Sequence, residues 1–120
     1  MKIQQIANVL TDKGSKYAVS GAQVASRDDV EKVLKKLCQK KKFAKATHNT
    51  WAVIFADGEQ VKDDDGESGA GNIMLKMLDQ AQLHNHMIIV TRWYGGVHLG
   101  ADRFRHVRTC VTTFIKEFCR

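Results

Sequence analysis

The chain has 120 residues, which is enough for one domain with an ordinary hydrophobic core. Its composition, 43% hydrophobic and 27% charged, is typical of a soluble globular protein, and it contains neither an apolar run long enough for a membrane helix nor a signal peptide at residues 1–10. The net charge of +6 favours acidic partners such as nucleic acid, the ribosome surface or an acidic protein.

The first half of the chain predicts two hairpins separated by a helix. Residues 3–11 and 17–25 have strand character and flank the turn residues "DKGS". Ser26 then caps a helix whose apolar residues recur at helical spacing up to Cys38, which is therefore expected to be buried. A strand over residues 51–56 meets the turn signal "DG", which predicts a short returning strand.

The second half predicts two more helices around one buried strand. A helix is expected after Ser68, and the apolar run "MIIV" at 87–90 predicts a covered central strand. A glycine-rich loop at 95–100 leads into a last helix with a continuous apolar stripe. The order of elements predicts an α+β fold, a two-layer sandwich in which a mixed sheet packs against helices.

The three cysteines indicate the compartment. They are odd in number and lack the CxxC spacing, which argues for a reducing environment and against a zinc site. We therefore expect a cytoplasmic protein. Cys110, on the last helix, should fill the hydrophobic core, and Cys119 should be a free thiol.

The segment "DDDGESGAG" at 63–71 joins four acidic side chains to a predicted helix start. Its glycines allow a close backbone approach, and the free N–H groups of the helix favour negative charge. The acidic side chains satisfy that preference internally and repel a phosphate, so the segment suits a cation, an arginine from elsewhere or a basic partner. The alternative is a solvated acidic turn that caps the helix. The candidate residues here are Asp64, Asp65, Glu67, Ser68, Gly69 and Gly71.

The segment "TRWYGGVHLG" at 91–100 leaves the predicted buried strand and enters a loop. The crevice beyond the carboxyl end of such a strand is where ligands tend to bind. An arginine beside two aromatic rings can stack bases or hold an acidic side chain, or it can simply pack. Nucleotide-binding glycine signatures are absent from the sequence. The candidate residues are Arg92, Trp93, Tyr94, Gly95, Gly96 and His98, with His48 and Arg103 nearby in the predicted polar cleft.

Three sequence blocks together resemble the Impact family, which includes the YigZ-like N-terminal domain. The blocks are "KATHNTWAV", "DDDGESGAG" and "RWYGGVHLGADRF", which lie in order within about residues 44–106. With the opening "GSKYAV", the resemblance covers nearly the whole chain. The second block lacks the proline common after the glutamate in bacterial members, so the chain resembles the eukaryotic-type branch. Thr50 replaces a usual cysteine, and Ala101 a common proline.

The resemblance implies one Impact-type domain over residues 1–120, with a fold similar to ribosomal protein S5 domain 2. Eukaryotic members usually carry an RWD domain before this core. Residues 1–120 do not include one, so the chain is either a single-domain member or the core of a longer protein. Those members act in translation regulation and the stress response by competing for the activator of a kinase of translation initiation factor 2. Because that competition belongs to the RWD domain, it is not carried over to this chain. Actin is a further partner that the resemblance implies.

We expect the acidic segment and the glycine loop to form one polar site. Arg92, with Arg103 or His98, should then lie near the carboxylates of residues 64–67. Two functions are compatible with such a site: a module that binds RNA, the ribosome or translation-regulatory proteins, which we favour, and a metal-assisted hydrolase acting on a phosphorylated or nucleotide substrate. A third alternative is a purely structural remnant of a larger regulator. No nucleophile–base pair is evident, and we assign no catalytic residue, metal site or cofactor.

Overall fold

A computed structural model describes residues 2–119, which form five strands and four helices. In chain order these are β1 (Gln4–Asp12), β2 (Ser15–Gln23), α1 (Arg27–Leu37), α2 (Lys41–Ala44), β3 (His48–Ile54), β4 (Gln60–Asp63), α3 (Ala70–Gln80), β5 (His86–Trp93) and α4 (Asp102–Phe118). The predicted α+β class, with helices packed against one sheet, is confirmed. The short α2 was not predicted: the lysine-rich stretch that follows α1 forms one further turn of helix.

The five strands lie in the order β1-β2-β5-β3-β4, and every neighbouring pair is antiparallel. The predicted mixed sheet is therefore wrong. β5 inserts between β2 and β3 and runs antiparallel to both, so the helical crossovers leave no parallel strands side by side. The position of β5 in the centre of the sheet agrees with its uninterrupted apolar sequence.

Helices cover both faces of the sheet, so the molecule has three layers instead of the two that were predicted. On β2, Tyr17 and Val19 face the core shared with α3 and α4, whereas Ala18 faces the core shared with α1 and α2. On β5, Ile88 faces the core shared with α3 and α4, and Ile89 faces the core shared with α1 and α2. Since successive strand residues point to opposite faces, a strand that is apolar at every position requires a cover on each side.

The cysteines differ in burial according to their place on the helices. Cys110 is buried in α4 as predicted, and burial raises the pKa of its thiol to about 12. Cys38 is exposed, which contradicts the prediction. It is the C-cap of α1, one residue beyond Leu37, the last buried residue of the helix. Cys119 is partly buried and free. Within residues 2–119, no helix is long and apolar enough to cross a membrane.

Candidate functional site

A cavity of about 460 Å³ opens at one end of the sheet, on the face that α3 and α4 cover. Its walls come from the entry to β3, the acidic turn before α3, the end of β5 and the glycine loop before α4. The lining residues are Thr47, His48, Gly66, Glu67, Arg92, Tyr94, His98, Leu99, Gly100 and Arg103. The cavity thus unites the two segments that the sequence singled out.

An ion pair between Arg92 and Glu67 forms the floor of this cavity. Arg92 Nη1 lies 3.1 Å from Glu67 Oε1, and each side chain is only 4% exposed. Arg92 Nη2 donates to Ser15 Oγ at 3.3 Å. A buried charge is tolerated only with such partners. The contact is the one expected between the glycine-loop segment and the acidic segment, and it selects Glu67 among the acidic residues.

Two further basic side chains converge on the same carboxylate oxygen. His48 Nε2 lies 3.6 Å and Arg103 Nη1 lies 3.7 Å from Glu67 Oε1. Both distances exceed the ~2.7–2.9 Å of a charge-assisted hydrogen bond, so these two contacts are loose. His48 Nδ1 lies 2.7 Å from the carbonyl oxygen of Asp65. Because a carbonyl oxygen only accepts, Nδ1 is the donor, and this bond fixes the orientation of the ring.

Asp64 points away from the cavity and caps α3. Its carboxylate accepts hydrogen bonds from the N–H groups of Gly69, at 3.1 Å, and Gly71, at 2.8 Å. Burial raises the pKa of Asp64, but these two bonds together with Lys62 outweigh burial and hold the pKa below its usual value. The predicted alternative of a helix-capping acidic turn therefore describes this residue.

Asp65 and Ser68 do not line the cavity. The carboxylate of Asp65 accepts from the N–H of Asn49 at 2.7 Å, which ties the acidic turn to β3. Ser68 precedes the predicted helix but is exposed and does not cap α3. Gly69 occupies the N-cap instead, in a left-handed conformation with φ of 88°. The capping carboxylate instead comes from the preceding turn.

Trp93 lies on the opposite face of the sheet from Arg92, as strand alternation requires. Its Nε1 donates to the carbonyl of Lys42 at 3.0 Å, its ring packs edge-on against Phe43, and Lys42 Nζ lies 4.9 Å from the ring centroid. Tyr94 remains near Arg92, whose Cζ is 5.8 Å from the tyrosine ring. The expected cluster of one arginine and two aromatic rings is therefore divided between the two faces.

The adjacent glycines of the loop have different roles. Gly95 packs directly on the turn between β1 and β2, where an added Cβ would collide with the backbone of Gly14, and its N–H donates to Ser15 Oγ at 3.1 Å. Gly96 has a φ of +94° and open space around it. His98 follows at the cavity wall. Gly95 thus serves chain packing, and Gly96 serves the turn.

Two polar residues of β2, Ser15 and Tyr17, belong to the site and were not predicted from the sequence. Ser15 is buried and accepts hydrogen bonds from Arg92 and from the loop. Tyr17 is buried beside Arg92, at 5.8 Å from its Cζ, and its hydroxyl has no hydrogen-bond partner within residues 2–119. Burial raises the pKa of Tyr17 to about 12. Both residues lie in the "GSKYAV" block. Since Ser15 and Tyr17 are two positions apart on a strand, the alternation of side chains could have predicted that they share one face of the sheet.

The carboxylates that the hydrolase alternative requires are engaged elsewhere. Asp64 caps α3, Asp65 accepts from the backbone of β3, and Glu67 is paired with Arg92. Across residues 2–119, no three histidine, cysteine, aspartate or glutamate side chains lie close enough together to hold a metal ion. Among the described residues, these carboxylates therefore do not form the set of free oxygen ligands that the hydrolase alternative requires.

The sequence model of the Impact N-terminal domain family matches residues 13–115. The chain belongs to this family. Protein IMPACT of Rattus norvegicus is 40% identical over 113 residues, which are 90% of this chain and 36% of that protein. The IMPACT homolog of Caenorhabditis elegans is 38% identical over 116 residues, which are 91% of this chain and 45% of that protein. The chain thus spans less than half the length of either relative.

Two solved structures are similar to this Impact domain. The two-domain translational regulator Yih1 has a TM-score of 0.57 and 34% identity, covering 90% of this chain and 44% of Yih1. The crystal structure of a hypothetical protein has a TM-score of 0.77 and 21% identity, covering 98% of this chain and 62% of the other, and shows the fold alone. The family predicted from the three sequence blocks is confirmed.

Proposed function

We propose that this Impact domain is a binding module in translation regulation and that it binds RNA or the ribosome surface. Membership of the family and the similarity to Yih1, a translational regulator, support the link to translation. The observation that carries the binding proposal is a lysine face on α1, α2 and their flanks. We define it by seven exposed lysines: Lys32, Lys35, Lys36, Lys40, Lys41, Lys42 and Lys45.

The lysine face accounts for the basic character of the whole chain. No acidic residue occurs between positions 32 and 56. The seven lysines exceed the net charge of +6, and the 12 other basic residues are outnumbered by the 13 acidic ones. Since a concentrated positive patch attracts phosphates and a dispersed one does so far less, the distribution favours a polyanionic partner.

An aromatic side chain within the lysine face supports the same partner. Trp93 is only partly buried and lies against Lys42 and Phe43. Aromatic rings beside lysines are the usual platform on which the bases of single-stranded RNA stack. Arg92, by contrast, is buried in an ion pair, so we place the RNA surface on the lysine face and not on the glycine loop.

The test compares two variants with the same change in charge. The lysine-face triple variant combines Lys35→Gln, Lys41→Gln and Lys45→Gln. The control triple variant, on exposed positions of α3 and α4, combines Lys76→Gln, Arg105→Gln and Arg108→Gln. Binding of labelled single-stranded RNA is measured by fluorescence anisotropy over a salt series. We expect the lysine-face triple variant alone to bind more weakly and to lose about 2 from the slope of log affinity against log salt, since each lost phosphate contact removes about 0.7.

Three results would contradict the proposal. Equal weakening of both triple variants would show that net charge, and not the lysine face, controls binding. Unchanged binding of the lysine-face triple variant would place the RNA elsewhere. Absence of binding by the wild-type protein at low salt would remove RNA as a partner and direct the search to translation-regulatory proteins.

A further inference from the structure

We propose that the cavity above Arg92 binds the phosphate group of a nucleoside monophosphate. The cavity lies on the face of the sheet covered by α3 and α4, whereas the lysine face lies on the side covered by α1 and α2. The cavity is therefore a separate small-molecule site on the opposite face of the sheet from the proposed RNA surface.

The lining of the cavity has more positive charge and more hydrogen-bond donors than its one carboxylate can satisfy. Arg92 and Arg103 contribute two guanidinium groups, and Glu67 contributes one carboxylate. The Nε of Arg92 is buried and has no hydrogen-bond partner in the described part of the chain, residues 2–119. His48 and His98 add further ring nitrogens to the wall. An anion would balance this excess.

Arg103 and the protonated form of His48 are positioned to bind an incoming anion. Nδ1 of His48 already donates to the carbonyl of Asp65, so its Nε2 donates only when the ring is an imidazolium. Arg103 and His48 lie 3.7 and 3.6 Å from Glu67 Oε1, too far for strong hydrogen bonds, and both side chains are partly exposed. A phosphate oxygen can accept from them at about 2.7–2.9 Å while Arg92 continues to neutralise Glu67. The structure thus separates a buried ion pair, Arg92 with Glu67, from two more accessible side chains whose contacts with Glu67 are loose.

The acidic segment does not block the cavity to the degree that its sequence suggests. Asp64 is directed into the cap of α3, and Asp65 accepts from the backbone of Asn49. Glu67 is the one carboxylate of this segment that lines the cavity, and Arg92 compensates its charge. The repulsion expected between the acidic segment and a phosphate is therefore largely offset.

The remaining wall suits an aromatic ring attached to the phosphate. The cavity volume of about 460 Å³ falls within the ~300–1,000 Å³ of small-molecule sites. Tyr94 is 43% exposed, its ring lies 5.5 Å from that of His98, and the guanidinium of Arg92 lies near it. Exposed aromatic rings of this kind stack nucleobases. A nucleoside monophosphate supplies both the anion and the ring.

The experiment titrates the folded chain with inorganic phosphate, adenosine monophosphate and adenosine, and follows the backbone amide resonances by NMR. We expect the monophosphate to bind more tightly than inorganic phosphate, and adenosine to bind least. The shifts should concentrate at Gly66, Tyr94, Gly100 and Arg103. Arg103→Gln should weaken the binding of both phosphate ligands about tenfold or more, since it removes a charge-assisted contact. Arg108→Gln, an equal charge change on the exposed side of the same helix, should leave binding unchanged.

Two further variants separate the anion contact from the ring contact. Tyr94→Ala should weaken the binding of the monophosphate but not that of inorganic phosphate. Glu67→Gln, which removes the competing negative charge, should strengthen the binding of both about tenfold. A residue that served only the fold would not change affinity in this direction.

Several outcomes would overturn the proposal. One is the absence of resonance shifts at the lining residues with about 10 mM ligand. Another is that Arg103→Gln and Arg108→Gln weaken ligand binding equally. A third is that adenosine binds as tightly as its monophosphate. Equal affinity for inorganic phosphate and the monophosphate would overturn the assignment of a nucleoside. The lysine-face triple variant should bind the monophosphate normally, so failure of the RNA proposal and failure of this one are distinguishable.

Discussion

At the scale of single residues, burial determines how much each ion pair contributes to the free energy of unfolding. The pairs Arg92–Glu67 and Arg27–Glu59 have the same N–O distance of 3.1 Å. The side chains of the first pair are each 4% exposed, whereas those of the second are 68% and 46% exposed. Water screens the second pair and competes for its charges, so equal geometry should correspond to unequal free energies.

Replacement of Arg92 by methionine should therefore be much more damaging than replacement of Arg27. We expect Arg92→Met to lower the free energy of unfolding by about 3–5 kcal/mol, because it leaves Glu67 buried without its main partner. Arg27→Met should cost less than about 1 kcal/mol. Urea denaturation of the two variants measures the difference.

A second substitution tests the cause of that loss. Adding Glu67→Gln to Arg92→Met removes the unpaired buried charge and should restore part of the lost stability. If the double variant is instead less stable by the sum of the two single losses, the two side chains are not coupled, and the ion pair is not the reason for the effect.

Residue types alone predicted part of the site. An arginine leaving a buried strand and a nearby acidic segment were enough to predict their contact, which Arg92 and Glu67 make. Residue type could not distinguish Glu67 from Asp64, because a carboxylate near a helix start can cap the helix or face a cavity with equal chemistry. Only the backbone conformation of the turn determines which carboxylate caps the helix and which faces the cavity.

At the scale of elements, the start of α3 depends on a residue that lies outside the helix. The N-cap is Gly69, which has no side chain to accept a hydrogen bond, and Asp64 accepts from the first N–H groups instead. Asp64→Ala should lower the free energy of unfolding by about 1–3 kcal/mol. Asp79→Ala, at an exposed position of the same helix, should change it by less than about 0.5 kcal/mol. Thermal and urea denaturation compare the two.

The contribution of Asp64 should also depend on pH. The pKa of this carboxyl is held below its usual value in the folded chain, so the folded state favours the ionised form. The stabilisation is fully present above the unfolded pKa of about 3.9 and is lost as pH falls through the lower folded pKa. Asp12, whose pKa the hydrogen bond with His106 lowers, acts in the same direction, so the wild-type protein must be compared with Asp64→Ala. A stability difference that stays constant down to pH ~2 would contradict the capping role.

Local sequence patterns predicted the elements but not how they assemble. Ser26 accepts from the N–H of Asp29 and begins α1, as the sequence pattern predicted. The turn signal at 57–58 separates β3 from β4 as expected. The antiparallel order and the third layer were not predicted, because they depend on where β5 inserts. Pairing between strands distant in sequence leaves no local pattern.

At the scale of the whole molecule, the lysine face concentrates like charges at a cost in stability. We expect the lysine-face triple variant to be more stable than the wild-type protein by several tenths to about 1 kcal/mol at low salt, because it relieves repulsion among neighbouring lysines. The gain should shrink at high salt, where the charges are screened. Urea denaturation at two salt concentrations measures it. A loss of stability at low salt would show that these lysines support the fold.

The most direct test of the binding module is sedimentation with purified ribosomes at low and high salt. We expect the wild-type chain and the control triple variant to sediment with ribosomes at low salt, and both to be released by high salt. The lysine-face triple variant should remain in the supernatant at low salt. Sedimentation of the lysine-face triple variant to the same extent as the wild-type chain would contradict the central role of the lysine face.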